Sequence, residues 1–180
     1  GASFAYLGVS VVDGGGGTQP AVIAGHLAAM GYDVALLIDS DATAKAGKAA
    51  SATVLAWPDR ACTELRLATD LPLPALRQLA VMATAGAKKG ARSVRDAIAD
   101  NLQVARGTLA EDAPETWVDM VDASKFRAAL GTLAKQEKHA WFKSREQGAL
   151  LGGLITEHWT AIEATPTLIV TSWLIPPVRI

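Results

Sequence analysis

A single cysteine, Cys62, leaves this chain without an internal disulfide. That fits a reducing compartment such as the cytosol, where stability has to come from packing. An excess of one charge is lacking too: 17 Lys and Arg face 18 Asp and Glu, for a net charge of −1. This excludes a strongly basic nucleic-acid binder, but not a metal-dependent nuclease, whose ions supply positive charge locally. No signal peptide is read, and no apolar run reaches the ~20 residues that span a bilayer. The longest C-terminal candidate, Leu168–Ile175, is about half that length. The three histidines, His26, His139 and His158, show no metal-ligand spacing, and no Ser/His/Asp set or internal repeat is found. What is present is apolar: half of the residues, against 19% charged, which marks a globular chain. Its length of 180 residues fits one domain, able to bury roughly 70% of the surface its unfolded chain exposes.

The first half alternates strand and helix patterns. Tyr6–Val12 reads as a strand ending at Asp13 and the loop Gly14–Gly17. Gln19–Met30 reads as a helix stopped by Gly31 at C′. Val34–Ile38 and Thr53–Trp57 are two further strands around a short helix, Ala44–Ala50. This βαβαβ rhythm predicts a parallel sheet covered by helices, with right-handed crossovers. Beyond Pro58 the pattern turns helical: Cys62–Thr69, Pro72 or Pro74 to Ala85, and Ser93–Val104 with an S-x-x-D start at Ser93 and Asp96. A loop, Arg106–Thr116, leads to a helix capped by Ser124 that runs to Lys138. A capping box at Ser144 and Gln147 opens a helix through Trp159. Pro166, Pro176 and Pro177 bracket a last short element.

The most informative feature is Asp39-Ser40-Asp41, at the end of the run Val34–Ile38. Such a run reads as a fully buried strand of a parallel sheet. With a period of two, Asp39 and Asp41 point the same way, roughly 6–7 Å apart along an extended strand. Two like charges at the end of a buried strand call for an offset. Paired carboxylates suit a hard cation such as Mg²⁺, and ligands bind at the carboxyl ends of strands in open α/β sheets. The alternative is a pair of solvated turn residues, and this segment alone leaves both readings open.

Other constellations are weaker. The four glycines after Asp13 could let backbone N–H groups approach a phosphate, but no Gly-Lys-Ser/Thr follows, and a tight turn explains them better. Asp59–Glu64 follows the third strand; Glu64 is a candidate metal ligand or a carboxylate that complements a helix dipole. Cys62 reads as a small packed residue. Lys138–Lys143 sets two aromatics between cations; it could hold a lysine against a phosphate, although a solvated lysine beside core aromatics is the commoner outcome. The cluster Lys88-Lys89-Arg92-Arg95 could meet DNA phosphates, although such clusters are more often solvated faces.

Three blocks occur in a recognisable order: VVDGGGG with its later DSD, WPDRACTELRLATDLP, and KHAWFKSREQGALLGGLI. This arrangement resembles the Toprim domain of OLD-family (overcoming lysogenization defect) nucleases, closest to the class paired with a UvrD/Rep-like helicase. The matches span most of residues 8–155. The resemblance implies an α/β fold: a Rossmann-like Toprim sheet with flanking helices over residues 1–70, followed by a helical part over 71–180. It implies DNA cleavage with two divalent ions, Mg²⁺ or Mn²⁺. Asp39, Asp41 and Glu64 would be metal ligands and Lys143, or failing it Lys138, would face the scissile phosphate. Asp13 would be structural. Cys62 stands where the family usually has serine. The family opens on a strand ending in a catalytic glutamate; no acidic residue precedes Asp13 here, so that strand is expected upstream of residue 1. ATP would act only through the family's separate ATPase domain. The implied partners are DNA, that ATPase domain, a UvrD/Rep-like helicase and further copies in a homo-oligomer, with no membrane. The implied setting is the cytoplasm, in phage defence or DNA repair. The competing expectation is a Rossmann-like nucleotide- or small-ligand-binding domain without nuclease activity.

Overall fold

The computed structural model describes residues 6, 8–15, 18–39, 52–57, 61–87, 89–136 and 144–163. The chain is α/β, mostly helical, with a small two-stranded parallel sheet among the described residues. It divides into two compact units, Gly1–Ala61 and Cys62–Ile180. Sequence reading put the division after residue 70, one helix further along.

In the first unit, helix α1 spans Gln19–Ala29, with Pro20 in its first turn, where a missing N–H costs nothing. It ends as expected at Gly31, whose φ of 90° suits a residue without Cβ. Gly31 N–H donates to Ala28 O at 3.0 Å and Tyr32 N–H to Leu27 O at 3.2 Å, the paired bonds of a Schellman stop. Strand β1 (Ala35–Ile38) pairs in parallel with β2 (Thr53–Ala56), in the register Ala35↔Thr53 to Ile38↔Ala56. A small core joins Ala21 and Ala24 of α1 to Leu36, with Val34, Ile38 and Ala52 around it.

Two expectations fail here. The strand predicted over Tyr6–Val12 is not found among the described residues: 9–15 carry no ladder, and Val9, Val11 and Val12 are exposed. Apolar alternation supplies a face but not the second strand that a ladder needs. The run Val34–Ile38 is also not buried on both faces. Leu36 is buried, whereas Leu37 is 51% exposed; α1 packs on β1, and successive side chains alternate faces. The predicted helix Ala44–Ala50 lies outside the described residues.

The second unit is built from helices α2 (Thr63–Asp70), α3 (Leu73–Ala85), α4 (Ala91–Leu102), α5 (Trp117–Met120), α6 (Ala123–Ala134), α7 (Arg145–Glu157) and α8 (Trp159–Glu163). Leu76 and Leu79 of α3, Ile98 of α4, Trp117, and Phe126, Leu130 and Leu133 of α6 are fully buried in one core. The stretch predicted as a loop, Arg106–Thr116, contains two short 3₁₀ turns and buries Leu109. Trp117 Nε1 donates to Ala110 O at 2.6 Å, which satisfies the one polar atom of a buried indole.

Ser144 caps α7, accepting from Gln147 N–H at 3.2 Å. Gln147 does not complete the box; its Nε2 donates to Gly86 O at 3.2 Å, tying α7 to the end of α3. That helix stops at His158 and α8 restarts at Trp159. For α6 the cap is Asp122, not Ser124: Asp122 Oδ1 accepts from Lys125 N–H at 2.9 Å. For α4 the cap is Gly90 at φ 78°, and Ser93 lies inside the first turn. In both cases the competing cap sits further upstream, and the polar residue chosen from the pattern falls inside the helix.

The tightest join is between α2 and α6. Gly131 has no Cβ; one added there would lie 2.7 Å from Leu65 Cδ1 and 3.3 Å from Leu65 Cα. One turn earlier, Arg127 Nη1 donates to Ala68 O and Thr69 O at 3.0 Å and to Leu71 O at 2.7 Å. These carbonyls close the C-terminal turn of α2, where intrahelical donors run out. A cation there also meets the negative end of the helix dipole. Arg127→Met should therefore lower stability by about 2 kcal/mol, the scale of hydrogen bonds to a charged group. Urea denaturation of wild type, Arg127→Met and Arg127→Lys would read this, with the lysine variant recovering only part because it lacks the planar fork.

Candidate functional site

Asp39 directly follows β1 and is half-buried. It therefore leaves the carboxyl end of a parallel strand pair, the edge where α/β sheets bind ligands. Asp41, its expected companion, lies outside the described residues, as do Asp59, Lys138 and Lys143. Glu64 belongs to the second unit, in the first turn of α2, and is 4% exposed. Asp39 and Glu64 are thus each fixed by their own unit.

Glu64 has a near neighbour in Cys62, which the sequence reads as a small packed residue. Cys62 is the N-cap residue of α2, with extended backbone (φ −97°, ψ 167°), and is buried. The Glu64 carboxylate lies near enough to influence it. Burial pushes the Cys62 thiol up from its ordinary range; the Leu65 N–H opposes this, and the Glu64 carboxylate adds to it. The thiol is held neutral, so at this spot the chain offers carboxylate oxygen and not thiolate. A carboxylate donor suits a hard cation better than a soft one. Among the described residues, no group of three or more His, Cys, Asp or Glu side chains is arranged to hold a metal ion.

Further along α2, Arg66 and Asp70 form a buried ion pair one helical turn apart. The spacing is readable in sequence, but its burial is not. Burial raises the Asp70 carboxyl above its usual range, against the pull of Arg66 and Arg127.

The basic cluster is largely solvated. Lys89 and Arg92 are exposed, and Lys88 is outside the described residues. Arg95 is held by Asp96 at 2.6 Å and by Glu111 at 2.7 Å. Arg106 extends the network to Asp100 at 2.9 Å. Arg95 holds Asp96 below the usual carboxylate range. A guanidinium so engaged is not free for a phosphate. His26 is exposed, as a surface residue of α1 should be, and His158 closes α7. A groove of about 320 Å³ between the end of α4 and α6, lined by Asn101, Gln103, Lys125 and Thr132, contains none of the expected site residues.

No protein-family model, no curated protein and no solved structure matches the chain. Among the described residues, no helix is long and apolar enough to cross a membrane.

The raised Asp70 carboxyl has a measurable sign. A folded-state value above the unfolded one means that the native state binds the proton more tightly. Asp70 thus stabilises the fold at low pH, and this contribution is lost as pH rises through its raised value. The stability of wild type relative to Asp70→Asn should fall as pH climbs from the ordinary aspartate range, then level off. Parallel urea titrations of the two proteins across acid to neutral pH would test this; a difference that rises with pH would contradict it.

Proposed function

We propose that this chain is the Toprim nuclease region of an OLD-family enzyme and cleaves DNA with two divalent ions, Mg²⁺ or Mn²⁺. The observation that carries the reading is Asp39 at the carboxyl end of the parallel pair β1–β2. The buried carboxylate of Glu64, in the helix that follows β2 along the chain, supports it. Two bound ions would supply an activated water and a counter-charge for the leaving oxygen. Asp39, Asp41 and Glu64 would hold them. Lys143 would neutralise charge building on the phosphate. The reading brings with it an ATPase domain in the same protein as the source of ATP dependence, a UvrD/Rep-like helicase as partner, a homo-oligomer and a cytoplasmic setting.

The competing reading is a Rossmann-like domain that binds a nucleotide or another small ligand, and it draws on the glycine loop. There, Asp13 Oδ1 accepts from Gly15 N–H at 2.9 Å, and Gly15 has a φ of 67°. A loop whose amide is taken by its own carboxylate is a self-contained turn, and that carboxylate would oppose a phosphate.

Nicking of supercoiled plasmid in Mg²⁺ or Mn²⁺ by the purified protein tests the proposal. Asp39→Ala should reduce nicking by about 10³-fold or more, the scale of several kcal/mol of metal-borne stabilisation. Its helical content should be unchanged. Nicking that survives in Asp39→Ala would remove the assignment.

A further inference from the structure

We draw no further inference here: the strongest candidate, the exposed face of α7 where Gly148, Gly152 and Gly153 have open space around them beside the exposed Leu150, is a stripe of small residues, and nothing among the described residues shows what covers it.

Discussion

The close join of α2 to α6 is the constraint on which the site-bearing helix of the second unit depends. Helix α2 is two turns long, too short to hold its shape by propensity alone. Its stability has to come from what it packs against. Gly131 lets α6 approach Leu65 and Ala68 without an intervening side chain. Arg127 then takes three carbonyls at the end of α2. Burial lowers the Arg127 guanidinium, and the nearby Asp70 opposes that shift. The join thus buries charge, and it is sustained because each charged group meets a carbonyl or an opposite charge. With its C-terminal end fixed this way, the first turn of α2 holds Cys62 and Glu64 inside the fold.

The first unit obeys a different constraint. Parallel strands are normally covered on both faces. Here α1 covers Leu36, while Leu37 and Val54 remain exposed. What this unit contributes to function is orientation: the pairing of β1 with β2 sets the strand direction, and strand direction puts Asp39 at the carboxyl edge. A one-residue change of register would invert which side chains meet α1.

The sequence was most legible where a local rule has a single physical solution. Gly31 was readable as a helix stop because the next backbone step requires positive φ. Ser144 was readable as a cap because its hydroxyl meets the N–H of Gln147 three residues on. Reading failed where two residues competed for the same job. Asp122 and Ser124 both suit a helix start, and the backbone decided for Asp122. It failed too at Val9–Val12, where the apolar pattern of a strand met no partner strand among the described residues. Of the candidate site, Asp39 at the end of a strand was legible from the run before it. Glu64 could be named but not weighed, because its burial depends on helices far away in sequence.

Composition and local pattern by themselves determined an α/β chain without an internal disulfide, the strands β1 and β2, most of the described helices, some of their caps, and the carboxylates that could serve a metal. They did so because propensity, capping and alternation act within a few residues. Only tertiary structure decided that β1 and β2 are direct neighbours, that Arg95 is committed to Asp96 and Glu111, that Arg66 and Asp70 are buried together, and that Cys62 and Glu64 are both enclosed. Each of these depends on which distant surface closes over a residue, and burial, more than residue type, sets what a charge or a thiol can do.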